Sequence, residues 1–103
     1  MLIHLEKGQD FNTLIKNGVV LVDFFATWCG PCKMLSPELE KLAEKRNDVT
    51  VLKVDIDQFE EIAAMYNVRV VPTLILFKDG ANLSVSTGFK PVASLERFVD
   101  TAF

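Results

Sequence analysis

Only two cysteines, one histidine and one tryptophan occur among the 103 residues, and neither apolar residues nor charges of one sign form a long run. Each scarcity removes a class of protein. Two cysteines and the remote His4 do not supply the four donors of a tetrahedral zinc site, so no metal is expected. An iron–sulfur cluster shared between two chains survives only as a minor alternative. No apolar stretch approaches the roughly 20 residues of a membrane-spanning helix. The formal charge of -3, from 11 basic and 14 acidic residues that are interspersed, provides no block to track a phosphate backbone or an anionic membrane. Neither nucleic acid nor membrane is therefore expected as a partner. The start, Met1 to Lys7, lacks the basic segment, apolar core and cleavage site of a secretory signal, and a cytoplasmic protein is expected. There is no repeat, linker or low-complexity segment. With 50% hydrophobic residues, 1–103 read as a single domain that can bury a core without staples.

What is there centres on Trp28-Cys29-Gly30-Pro31-Cys32, which places both cysteines three positions apart. In a reducing compartment such a pair is expected to be catalytic or metal-binding rather than a structural bridge. Loop-closure entropy agrees, since a cross-link enclosing so few residues removes only about 2 kcal/mol from the unfolded chain. Gly30 and Pro31 favour a turn that feeds directly into a helix, so Cys29 is expected at or just before the helix start. There it meets unpaired backbone N–H groups and the positive end of the helix dipole, which favour thiolate over thiol. Cys29 is the expected nucleophile. Cys32 lies one turn further in, within disulfide reach, and is expected to be shielded by the backbone and less acidic.

Around this motif the chain alternates strand and helix patterns. Val19 to Ala26 is a β-branched and aromatic run without alternation, the pattern of a central strand covered on both faces. Val49 to Val54 and Pro72 to Phe77 are similar, and Leu83 to Thr87 alternates as an edge strand does. Asp79-Gly80 marks a tight antiparallel connection. A short lead strand is expected near Leu2 to Leu5. Helical spacing appears around Phe11, Leu14 and Ile15, from Met34 to Ala43, at Ile62, Ala63 and Met65, and from Val92 to Val99. The alternation indicates an α/β fold. Asp57 with Glu60 resembles a helix start, Pro91 can open the last helix, and Pro37 falls inside the second.

Asp23 is the second anomaly, a carboxylate inside the most apolar strand and six residues before Cys29. A buried charge is costly unless paired. One reading turns it to solvent at a strand end. The other makes it the proton acceptor for Cys32, with Lys53 on a neighbouring strand as its charge partner.

The run Val22 to Met34 with Pro37, then Lys53 to Asp57, Tyr66 to Thr73, Phe77 to Gly80 and Thr87-Gly88-Phe89, together resembles thioredoxin along essentially the whole chain. The resemblance implies a thioredoxin fold, a central mixed five-stranded sheet flanked by four helices, two on each face. It implies that Pro72 follows a cis peptide bond against the cysteine pair. It further implies a shallow apolar groove for protein substrates at Trp28, Gly30, Pro31, Val71, Pro72, Gly88 and Phe89. The implied activity is protein-disulfide reduction through a reversible Cys29–Cys32 disulfide, with no bound cofactor. No Gly-rich dinucleotide fingerprint is present, so electrons must come from another protein. The family implies an NADPH-dependent flavoprotein, a thioredoxin reductase. Phe25 and Val70 depart from frequent bacterial versions, which carry tryptophan and glycine there. A monomer is expected, because no long exposed apolar stripe is evident. Two rivals remain: an oxidase or isomerase of the same fold, and a binding module that docks on a larger protein without electron transfer.

Overall fold

The computed structural model describes residues 1–103. Strands β1 (Leu2–His4), β2 (Val19–Phe25), β3 (Val49–Asp55), β4 (Thr73–Lys78) and β5 (Ala81–Thr87) interleave with helices α1 (Phe11–Ile15), α2 (Gly30–Lys45), α3 (Glu60–Met65) and α4 (Val92–Asp100). The strands form one sheet in the order β1-β3-β2-β4-β5. β1, β3 and β2 run parallel, and β4 and β5 are antiparallel to their neighbours. β2 is the central strand, which explains why its sequence shows no alternation: both of its faces are covered.

Successive side chains of a strand point to opposite faces, and two separate apolar layers result. Val19, Leu21, Val49, Val51, Leu74 and Leu76 pack under Leu35, Leu39 and Leu42 of α2 and Leu95 and Val99 of α4. On the other face Val20, Val22, Phe24, Leu52, Val54, Ile75 and Phe77 meet Phe11 and Ile15 of α1 and Ala63 of α3. The same parity puts Asp23, Phe25 and Lys53 on the face covered by α2, at the end of the sheet where α2 begins.

Local signals account for the boundaries. Asp79 and Gly80 both take positive φ, 49° and 85°, as a two-residue hairpin turn between β4 and β5 requires. The turn is tied to the loop before β2, because the Gly18 N–H donates to Asp79 Oδ1 at 2.8 Å. Pro37 lies inside α2, and the helix continues through it to Lys45. Across the α2–α4 contact the Val92 N–H donates to Glu38 Oε1 at 2.9 Å. Arg46, just past α2, bonds Asp48 at 2.9 Å and Asp100 at 2.6 Å.

Three expectations need adjustment. Asp57 does not cap α3; Phe59 holds that place, and Glu60 and Glu61 supply the acidic first turn. Pro91 sits one residue before α4 rather than at its first position, and Pro72 one residue before β4. No helix is long and apolar enough to cross a membrane.

Leu39 has no exposed surface and joins α2 to the sheet. Leu39→Ala should cost about 2–5 kcal/mol in urea unfolding, the range for a buried leucine that leaves a cavity. Leu83→Ala, on the exposed edge strand, should change stability by no more than about 0.5 kcal/mol. Equal losses at the two positions would contradict this layer assignment.

Candidate redox site

Cys29 occupies the N-cap of α2 with extended backbone (φ -92°, ψ 115°), and Pro31 follows in the first turn. A proline is tolerated there because the N–H it lacks would have no partner within the helix. The two cysteines form a disulfide with their Cα atoms 5.3 Å apart, within the ordinary range. The Cys32 N–H donates to Cys29 Sγ at 3.2 Å. A sulfur thus stands where a serine or aspartate oxygen caps other helices, and it accepts one of the N–H groups left free at the helix start. A negative charge on Cys29 Sγ is favoured by that bond and by the helix dipole.

The expected contrast in exposure between the two sulfur residues is small. Cys29 is 5% exposed and Cys32 3%. Both belong to a small apolar cluster with Ala26, flanked by Phe25, Ile56 and Val71. The asymmetry between them is therefore electrostatic and positional, with Cys29 at the helix tip and Cys32 within the first turn.

The loop before β4 completes this end of the molecule. The Val71–Pro72 peptide bond is cis. Cys29 Sγ lies 3.6 Å from the Val71 carbonyl oxygen. Thr73 Oγ1 donates to the Val70 carbonyl at 2.6 Å, which closes the loop on itself. The Gly88 N–H donates to the Pro72 carbonyl at 3.0 Å, so Gly88 and Phe89 are brought beside the same loop. Gly88 has φ 87°, a conformation glycine adopts without strain. Trp28 and Phe89 are 67% and 42% exposed, and Val70 stands out at 54%. Gly30 and Pro31 are also at the surface, whereas Pro72 is buried.

Two residues of the site escaped the sequence reading. Asp57 accepts a hydrogen bond from the Trp28 indole N–H at 2.8 Å and so orients the exposed ring. The acidic cluster after β3 was visible in the sequence, but its partner is 29 residues away and no spacing rule connects them. Ser36 is the other, and it bears on Asp23.

Asp23 does not turn to solvent: it has no exposed surface, and neither carboxylate oxygen accepts a hydrogen bond from the protein. Its register partner on β3 is Lys53, whose Nζ lies 3.9 Å from Asp23 Oδ2. The ammonium also donates to Ser36 Oγ and lies 4.9 Å from the centre of the Phe25 ring. Burial pushes the Asp23 carboxyl up from 3.8 to about 6, against the opposing field of Lys53. A cavity of about 230 Å³ joins Lys53 and Ser36 to Cys32, with Phe25, Ala26, Thr27 and Lys33 completing its lining.

None of the cavities includes Trp28, Val71, Pro72, Gly88 or Phe89. Cys29 lines none of them either and lies beside the open surface of Trp28, Gly30 and Pro31, an arrangement suited to exchange with disulfides carried by other proteins. That is the work of a protein-disulfide oxidoreductase. Comparison with known proteins narrows the class. Residues 2–101 match the family model for thioredoxin. Thioredoxin of Chlamydia trachomatis is 48% identical over 98 residues, covering 95% of this chain and 96% of the relative. Thioredoxin of Bacillus subtilis is 44% identical over 101 residues, covering 97% of each. A mutant thioredoxin from Halobacterium salinarum superposes with a TM-score of 0.91 at 37% identity, over 98% of this chain and 89% of that one. A Schistosoma mansoni thioredoxin gives 0.89 at 40% identity, over 99% and 95%. The chain belongs to the thioredoxin family, and it is a protein-disulfide reductase acting on disulfide-containing proteins.

The raised Asp23 pKa has a consequence for stability. Folding favours the protonated carboxyl, so Asp23 contributes stability that is present below about pH 4 and lost as the pH rises through about 6. Asp23→Asn removes the ionisation. Measured by urea unfolding of the oxidised protein, the variant should gain about 3 kcal/mol on the parent between pH 4 and pH 8. An advantage of equal size at both pH values would refute the assignment.

Proposed function

We propose that this chain acts as a single domain, 1–103, that carries electrons from an NADPH-dependent thioredoxin reductase to disulfides on other proteins. The position of Cys29 at the N-cap of α2, with the Cys32 N–H on its sulfur, is the observation that carries this reading. In the reduced protein the Cys29 thiolate attacks one sulfur of a substrate disulfide. A Cys29–substrate bond forms, and the other substrate sulfur leaves as a thiolate. The Cys32 thiol then gives its proton to the Asp23 carboxylate and attacks Cys29 Sγ. The mixed disulfide breaks, the second substrate sulfur departs, and the Cys29–Cys32 disulfide is left behind. Two electrons have passed to the substrate. A pKa near neutrality suits Asp23 to accepting a proton at working pH, and Lys53 is the charge partner that moderates it.

The substrate chain is taken on the open surface formed by Trp28, Gly30, Pro31, Val71, Pro72, Gly88 and Phe89. The carbonyl of Val71, close to Cys29 Sγ, sits where an extended backbone can approach the reacting sulfur. Val70 projects beside it and narrows the backbones that fit. The protein carries no cofactor of its own, works in the cytoplasm and is monomeric. The scattered charges and the absence of a long exposed apolar stripe support that reading.

Insulin reduction coupled to a purified thioredoxin reductase and NADPH tests both ends of the electron path. Cys29→Ser should show no turnover above background. Cys32→Ser should accumulate a mixed disulfide that gel electrophoresis under non-reducing conditions detects. Capture through Cys32 in the Cys29→Ser variant would reverse the two roles. In single-turnover mixing at pH 7, Asp23→Asn should slow release of reduced substrate on the order of 100-fold, the scale of lost general-base catalysis.

A further inference from the structure

Ser36 takes no part in the exchange of sulfur bonds, yet it holds the one cation near the buried carboxylate. The Lys53 ammonium has three neighbours: Ser36 Oγ, to which it donates, the Phe25 ring at 4.9 Å and Asp23 Oδ2 at 3.9 Å. An ammonium offered a buried carboxylate would ordinarily close to roughly 2.8 Å, because charge-assisted bonds are the stronger ones. Here it is bonded to the neutral hydroxyl, and both Asp23 oxygens lack a protein donor. The helix itself gives no reason for a serine, which is a poorer helix former than alanine.

We propose that Ser36 is a positioning residue for the resolving step: its hydroxyl holds the Lys53 ammonium off the Asp23 carboxylate, which leaves Asp23 basic enough to take the Cys32 proton. This rests on the base role assigned to Asp23 above. The topology makes the arrangement direct. Asp23 and Lys53 are register partners on β2 and β3, and α2 crosses the same face of the sheet, with Cys32 and Ser36 one turn apart on it. Both helical residues and Lys53 line the same 230 Å³ cavity, so the thiol and the tethered ammonium share one space.

His4, in register with Lys53 from β1, and Glu6 and Lys7 beyond it line a second cavity with Phe25 and Lys53. β4 presents the apolar Leu74 in register with Asp23. On α2, Lys33 lines the first cavity but is exposed, and Asp55 at the end of β3 faces the second. Closing the ammonium from its present distance to hydrogen-bond contact would lower the proton affinity of Asp23 about tenfold at an effective dielectric constant of 20.

The test follows the Asp23 carboxyl by carbon NMR across pH in the reduced protein, alongside the pH profile of the resolving step. Ser36→Ala should lower the Asp23 midpoint by about one pH unit, an approximately tenfold loss of proton affinity, and move the resolving profile the same way. Ser36→Thr keeps a hydroxyl and should restore both. In a Lys53→Gln background, Ser36→Ala should change neither, since no ammonium remains to be held. An Asp23 midpoint unmoved by Ser36→Ala, with Asp23→Asn still slow to resolve, overturns the role of Ser36 and leaves the base assignment standing. Resolution at the parent rate in Asp23→Asn overturns both.

Discussion

The site depends on where the N-terminus of α2 is held. Leu35, Leu39 and Leu42 seat this helix on the sheet through the same layer that receives Leu21 of the central strand. Because these leucines have no exposed surface, the helix cannot slide or lift without opening the core. The first turn is thereby fixed beyond the end of β2. The positive end of the helix, the sulfur that benefits from it and the buried carboxylate of β2 all inherit their positions from this one packing contact.

From that contact α2 acts on the chemistry at two levels. The Cys32 N–H at its start reaches Cys29 Sγ and, with the helix dipole, favours a charge on the outer sulfur. One turn later it brings Ser36 to Lys53, and through that lysine it meets the electrostatics around Asp23. The strands contribute differently. β2 and β3, paired in parallel, set Asp23 and Lys53 side by side, with no exposed surface on the carboxylate. Helix and sheet thus act on two different groups: the helix start favours a negative charge on one sulfur, and burial in the sheet raises the proton affinity of one carboxylate.

Much of this was legible in the chain because it follows from local rules. The unalternating run through β2 identified a doubly covered strand, Asp79-Gly80 identified the hairpin turn, and Gly30-Pro31 placed Cys29 at a helix start. The pairing of Asp23 with Lys53 could be anticipated once two neighbouring strands were assigned. The cis bond before Pro72 came only from family resemblance, since both isomers suit a proline at the head of a strand. What stayed hidden depends on contacts between distant segments. Asp57 looked like a helix start because its spacing to Glu60 fits one, whereas the fold spends its carboxylate on Trp28. Ser36 carried no signal, as a serine on a helix is usually a solvated residue and its value here exists only once Lys53 is beneath it.

Asp23 also shows why the site is a poor place to look for stability. An ionised carboxylate without hydrogen bonds, buried in the strand that organises the core, works against folding at neutral pH. A neutral residue there would make the more stable protein, so packing and folding give no reason for the acid. Lys53 could relieve the cost by contacting the carboxylate, but a fully paired Asp23 would be a weak base. The observed geometry lies between these limits, with the ammonium 3.9 Å from the carboxylate and hydrogen-bonded to Ser36 instead. That compromise costs stability, and under the proposed mechanism it serves the second thiol, which must lose its proton each time the protein releases a substrate.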